Sequence, residues 1–168
     1  MIRLVSVVSV LAFVVPSAAE ERAPVPRPEQ LGILDAMVGS WVHLSEGALI
    51  RVNSGWSDQG RFLERTFVIR LGSEVEATIR QTVYWDPVAK EVRSWGFASD
   101  GSFESGRWSR DGAVIRVERR ITYPDGLQGT AVNSWELAEE GQLFFSSSSR
   151  TIDGEPIPDI APTELEKQ

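Results

Sequence analysis

The sequence predicts an all-β protein, an antiparallel up-and-down β-barrel of about eight to ten strands with a short N-terminal helix. Turn signals rich in Gly, Asp and Pro recur every 11 to 15 residues between Ser57 and Gly154, as in a chain of hairpins. This spacing leaves no room for the crossover helices that parallel strands require, so neighbouring strands must pair in sequence order. A meander this long would leave two unpaired edges, and closure into a barrel removes them.

The helix and the strands follow from two different periodicities. Leu31, Leu34, Met37 and Val38 form one apolar stripe, and Gly39 follows where a helix end favours a left-handed residue, so a short helix is predicted against the barrel. Alternation of apolar and polar residues then predicts nine strands. They lie near 40–46, 48–56, 61–71, 74–85, 90–98, 102–108, 113–122, 127–138 and 142–152.

The N-terminus has the pattern of an export signal. Arg3 precedes an apolar run over residues 4–15, and small residues end at Ala19. This pattern predicts a signal peptide over 1–19, cleaved after Ala19, and hence a periplasmic or secreted protein. The apolar run is shorter than the roughly 20 residues of a transmembrane helix, so no stable membrane insertion is expected. Residues 20–28, with three prolines, are predicted to be a flexible leader.

Composition limits the function classes. Without residues 1–19 the chain has 149 residues and 16 basic against 24 acidic side chains, a net charge of −8. That length suits one domain, here 29–158 followed by a C-terminal tail over 159–168. The acidic balance argues against a nucleic-acid partner. The chain has no cysteine, which excludes disulfides and lipid attachment at cysteine, and its motifs indicate no metal, cofactor or oligomeric state.

Four polar residues share the apolar faces of their strands, namely Arg65, Gln81, Arg119 and Asn133. An unpaired buried arginine costs several kcal/mol, so these side chains must meet a carboxylate, bridge waters or face a wet cavity. Two interpretations remain open. The residues line a cavity that holds the polar head of an amphipathic, in particular anionic, small molecule, or they form an internal salt-bridge network. Glu64 or Glu118 would supply its carboxylate, while the inward face of strand 90–98 stays unassigned.

His43, the only histidine, lies two residues after Trp41 and faces the same side of its strand. His43 is either a heme or metal ligand or a partly buried or surface histidine with a hydrogen-bond partner. The second interpretation is favoured, because a metal site needs several ligands at short spacing. We place His43 with the four polar residues as a ligand-binding candidate. The six tryptophans are either core residues or a sugar-stacking surface. Trp41, Trp56, Trp85 and Trp135 lie on apolar faces, which favours core, whereas Trp95 and Trp108 stay open.

Several motifs resemble the calycin superfamily. Gly39-Ser40-Trp41, directly after a short helix, resembles the Gly-x-Trp signature of lipocalins and their relatives. The segments 34–41, 60–65, 84–87 and 94–101 are similar to bacterial lipocalin-like domains of unknown function that occur beside SnoaL-like modules. The resemblance, which covers about 31–158, implies a barrel with Trp41 packed at its closed end beneath an arginine from a late strand, for which Arg150 is the candidate. It brings no catalytic residues with it.

Three functions are compatible with these observations. The first is an exported lipocalin-like protein that binds a small apolar or amphipathic ligand inside the barrel. The second is an enzyme, an isomerase, cyclase or hydrolase, that uses the same cavity. The third is a ligandless interaction module of the cell envelope.

Overall fold

The computed structural model describes residues 27–45, 47–57, 59–138 and 142–168. They form an all-β protein, a closed antiparallel barrel of ten strands with one short 3₁₀ helix, as predicted. The helix spans Glu29–Met37, and the strands are β1 (Gly39–Ser45), β2 (Ala48–Trp56), β3 (Phe62–Leu71), β4 (Glu74–Asp86), β5 (Glu91–Ala98), β6 (Phe103–Asp111), β7 (Val114–Thr122), β8 (Gln128–Leu137), β9 (Leu143–Ile152), β10 (Glu155–Pro156) and β11 (Ile160–Lys167).

The nine predicted strands are confirmed as β1 to β9, each paired with its sequence neighbour. The segment predicted as a tail, 159–168, instead forms β11, which lies between β9 and β1 and closes the barrel. Pro162 and a register shift between Ile160 and Thr163 hide the alternation of β11 in the sequence. Leu165 is nevertheless buried like an inward-facing strand residue, at 3% exposure. Proline is tolerated at such an irregularity because no ladder hydrogen bond is needed there.

Closure is uneven around the barrel. β1 and β2 pair over seven residues, whereas β1 and β11 pair over two, Trp41 with Lys167 and Val42 with Glu166. The two-residue strand β10 pairs with the far end of β9, beyond the part of β9 that β11 covers. The seam between β1 and β11 is therefore the shortest ladder between long strands of the barrel.

The 3₁₀ helix closes one end of the barrel. Its apolar residues Leu31, Leu34 and Met37 are fully buried, as the stripe predicted. Trp41 is buried beside them, and its indole Nε1 donates to the carbonyl oxygen of Met37 at 3.1 Å. Gly39 has a φ of +129°, a conformation that favours glycine, where the chain turns from the helix into β1.

The predicted signal peptide and residues 20–26 of the predicted leader lie outside the described residues. Arg27, at the end of that leader, is anchored to the domain. It forms an ion pair with Asp35 at 2.7 Å, and its guanidinium lies 4.5 Å from the ring centroid of Trp56. Among the described residues, no helix is long and apolar enough to cross a membrane.

Strand β5, whose inward face the sequence leaves open, alternates strictly. Val92, Ser94 and Gly96 point into the barrel and are buried, whereas Trp95 and Phe97 point outward and are exposed. The pattern is hard to read from sequence because small residues take the inner positions and aromatic residues the outer ones. Of the two tryptophans that stayed open, Trp108 belongs to the core and Trp95 to the surface.

Candidate functional site

A cavity of about 220 Å³ occupies the barrel interior beyond the packed end. Aliphatic and aromatic side chains form most of its wall, including Phe67, Trp108, Trp135 and Phe145. The five residues predicted to bind a ligand also line it, and these are His43, Arg65, Gln81, Arg119 and Asn133. Alternation along separate strands therefore brings them to one cavity, because inward positions of a closed barrel converge.

Arg65 is the most deeply buried charge of this cavity, at 3% exposure. Its Nε donates to the Ser54 hydroxyl and its Nη1 to Gln81 Oε1, both at 3.2 Å. The guanidinium also lies 4.6 Å from the ring centroid of Trp135 and 4.7 Å from that of Phe67, within the range of cation–π attraction. Its hydrogen-bond partners are thus neutral, and the cation is compensated only in part.

The electrostatics of Arg65 follow from that environment. Burial lowers the pKa of its guanidinium to about 9; the charge of Glu104 opposes this shift and the charge of Arg119 adds to it. The folded protein therefore holds this cation at a free-energy cost, which an additional negative charge in the cavity would reduce.

Glu104 joins the two arginines into one network. Its Oε1 accepts a hydrogen bond from Gln81 Nε2 at 2.8 Å, and its Oε2 forms an ion pair with Arg119. Gly96, directly opposite on β5, makes room for it, because a Cβ at that position would lie 2.7 Å from Glu104 Cγ. The chain Arg65–Gln81–Glu104–Arg119 thus crosses the cavity wall.

Glu104 is the residue that sequence reasoning missed. Neither Glu64 nor Glu118 is the internal carboxylate, since Glu64 accepts from Thr82 on the outside and Glu118 pairs with Arg107. The signal for Glu104 is present in β6, where Glu104, Gly106 and Trp108 share the buried face that begins with Ser102, the residue before the strand. The salt-bridge network and the cavity, posed as alternatives, occur together.

Three buried polar atoms on the cavity-lining residues have no hydrogen-bond partner among the described residues. They are two donors, Trp108 Nε1 and Arg119 Nε, and one acceptor, Asn133 Oδ1, on the neighbouring strands β6, β7 and β8. An unsatisfied buried group costs about 1 to 3 kcal/mol, so native structures rarely leave one without a role or a water. A side cavity of about 70 Å³ shares Arg119 and Asn133 with the main cavity and extends towards Ser147 and Arg150.

His43 lies on the cavity wall beside the seam of the barrel. Its Nδ1 is 2.9 Å from the carbonyl oxygen of Glu164 on β11, so the side chain bridges β1 and β11 where their ladder has ended. Within the described ranges, no group of three or more His, Cys, Asp or Glu side chains could hold a metal ion. The geometry therefore gives His43 a place in the wall and a structural contact.

The cation over Trp41 is Lys167, whose Nζ lies 5.4 Å from the indole centroid, and not Arg150 as the resemblance implied. Arg150 instead donates to the carbonyl oxygen of Pro158 and lines the side cavity. The difference follows from β11, which places Lys167 opposite Trp41.

No protein-family model matches the chain, and no curated protein sequence is significantly similar to it. The closed antiparallel barrel is the architecture expected of a lipocalin-like domain.

Proposed function

We propose that this protein is an exported lipocalin-like binding protein that holds one small amphipathic molecule inside the barrel. One observation carries the proposal. The cavity combines an apolar, aromatic wall with buried donors on Trp108 and Arg119 and a buried acceptor on Asn133, none of which has a hydrogen-bond partner in the part of the chain that the structure describes. Such a combination of apolar wall and few convergent polar groups is typical of ligand pockets.

The size of the cavity limits the ligand. Its volume of about 220 Å³ is below the roughly 300 to 1,000 Å³ of pockets for drug-sized ligands. It exceeds the roughly 150 Å³ of an engineered apolar cavity that binds benzene. A single ring or a short chain with one polar group fits this space.

The charge of the cavity favours an acid. Its wall contains two arginines, Arg65 and Arg119, and one carboxylate, Glu104. A ligand with one negative charge would balance this excess where the low dielectric makes the attraction strong. It would also relieve the cost that the lowered pKa of Arg65 reports.

Benzoate is a suitable probe because it joins one ring to one carboxylate, and benzyl alcohol is its neutral counterpart. Calorimetric titration of the mature chain should show that benzoate binds more tightly than benzyl alcohol. Asn133→Leu fills the polar side of the cavity, so it should weaken benzoate binding about tenfold or more. Asn53→Leu makes the same change on the exposed face of β2 and should leave binding unchanged.

Two results would overturn the proposal. Benzoate and benzyl alcohol could both fail to bind, and this result would support the interpretation of the protein as a ligandless module. Alternatively, Asn133→Leu and Asn53→Leu could bind benzoate equally well, and the interior would then not be the site.

Export is tested separately. When the full chain is expressed in a bacterial host, we expect the protein in the periplasm, with an intact mass that corresponds to a chain beginning at Glu20. Protein that keeps residues 1–19 and stays in the cytoplasm would contradict the proposed signal peptide.

A further inference from the structure

A second concave site lies on the outer surface of the barrel. Trp95 on β5, Ser105 on β6 and Arg120 on β7 form one cross-strand row, because Trp95 pairs with Ser105 and Ser105 with Arg120. The small Ser105 leaves an open groove between the two large side chains, with a volume of about 740 Å³. Two strand spacings, about 10 Å, separate the tryptophan from the arginine.

Trp95 is exposed yet held in place. It is 47% exposed, and its indole Nε1 donates to the Tyr84 hydroxyl at 3.1 Å. An indole whose only donor is satisfied has apolar faces left to offer a ligand. Its fixed orientation lowers the entropy cost of stacking.

Among the described residues, the groove has one cation without a side-chain partner. Arg107 pairs with Glu118 at 2.7 Å, and Arg93 pairs with Glu91 at 3.1 Å. Arg120 makes no side-chain hydrogen bond or ion pair in the described part of the chain. The surface arginines of the groove outnumber its carboxylates by one, in a protein whose net charge is −7.

We propose that this groove binds an acidic saccharide. A pyranose ring has an apolar C–H face that can stack on Trp95, and a uronate carboxyl group can reach Arg120 as a charge-assisted pair. Hydroxyl groups of Ser105 and Thr130, both in the groove, supply donors and acceptors for ring hydroxyls. These hydroxyls favour a sugar over an aromatic acid, because an aromatic acid has no ring hydroxyl groups with which they could form hydrogen bonds.

The test uses trigalacturonate as the probe on the mature chain, followed by calorimetry and by the indole N–H signals in NMR spectra. The Trp95 signal should shift on titration. Trp95→Ala and Arg120→Gln should each lower the affinity roughly tenfold, because each removes one main contact. Added salt should weaken binding to the wild type and to a smaller extent binding to Arg120→Gln.

Two matched variants serve as controls. Phe97→Ala removes an exposed aromatic residue from the same face of the same strand, and Arg80→Gln removes an exposed arginine of β4 outside the groove. Both should bind trigalacturonate like the wild type. The proposal fails if trigalacturonate does not bind, if Trp95→Ala and Phe97→Ala behave alike, or if neutral maltotriose binds as tightly as the acidic sugar. Benzoate binding in the interior should be unaffected by all four variants.

Discussion

The two halves of the barrel interior differ in the side chains that fill them. At the helix end, Leu31, Leu34, Met37 and Trp41 pack without exposure, and the one indole N–H is satisfied by a carbonyl. Towards the other end, inward-facing positions of the strands carry arginine, glutamine, glutamate and asparagine around a cavity. One alternation rule thus builds a dry half that stabilises the fold and a polar half that costs stability and leaves room for a ligand.

The largest effect is expected from Glu104→Gln, which removes the carboxylate of the polar half. The buried Arg65 and the half-buried Arg119 would then lack a counter-charge, so the free energy of unfolding should fall by about 3 to 5 kcal/mol. Urea unfolding followed by tryptophan fluorescence measures it. Glu118→Gln is the matched control, since its pair with Arg107 is exposed and should contribute about 1 kcal/mol or less. Equal losses in the two variants would contradict the internal role of Glu104.

A loss of about 2 to 5 kcal/mol is expected for Leu34→Ala in the dry half, because the deletion leaves a cavity under the helix. This variant should bind benzoate with unchanged affinity when it is folded. Leu44→Ala, at a position 73% exposed on β1, should change stability by no more than about 0.5 kcal/mol. Loss of benzoate binding in folded Leu34→Ala would show that the two halves are coupled.

The buried Arg65 should give the free energy of unfolding an unusual pH dependence. The folded-state pKa is lowered to about 9, while the unfolded chain keeps this proton to a much higher pH. The unfolded state therefore binds more protons above pH 9, and stability rises with pH there. Relative to Arg65→Met, the wild type should gain about 1 kcal/mol between pH 8 and pH 10, as measured by unfolding at each pH. Parallel curves for the two proteins would contradict the buried, partly compensated cation.

The smallest effect on stability is expected in the β5–β6 turn, at the end of the barrel opposite the helix. Asp100 accepts hydrogen bonds from the hydroxyl and the backbone N–H of Ser102, which lower the pKa of its carboxyl group, the hydroxyl most. Its contribution is therefore present above a pH of about 4 and lost as the pH falls through the lowered folded-state pKa. Asp100→Asn should cost less than about 1 kcal/mol at pH 7 and nothing in strong acid. A constant difference across that range would rule out the carboxylate as the cause.

Turn chemistry and alternation were sufficient to predict β1 to β9 and the inward direction of Arg65, Gln81, Arg119 and Asn133. Glu104 escaped because the positions around it on the inner face are small, Ser94, Gly96 and Gly106, and a barrel interior with a cavity does not need bulky apolar residues there. β11 escaped because proline and charges interrupt its pattern, and only its partners on both sides make it a strand. Contacts between strands distant in sequence decided both cases, and no local pattern contains them.

The short seam between β1 and β11 has a consequence for how the barrel opens. The seam is held by two residue pairs, by the backbone hydrogen bond from Gln168 to Ser40 and by the contact of His43 with Glu164, whereas β1 and β2 share seven residue pairs. Since the cavity wall includes His43, Ile160 and Thr163 on either side of this seam, the smallest opening that exposes the interior separates β1 from β11. Amide hydrogens of β11 should thus exchange with solvent before those of β3 to β6, and a bound molecule would enter and leave through the side of the barrel.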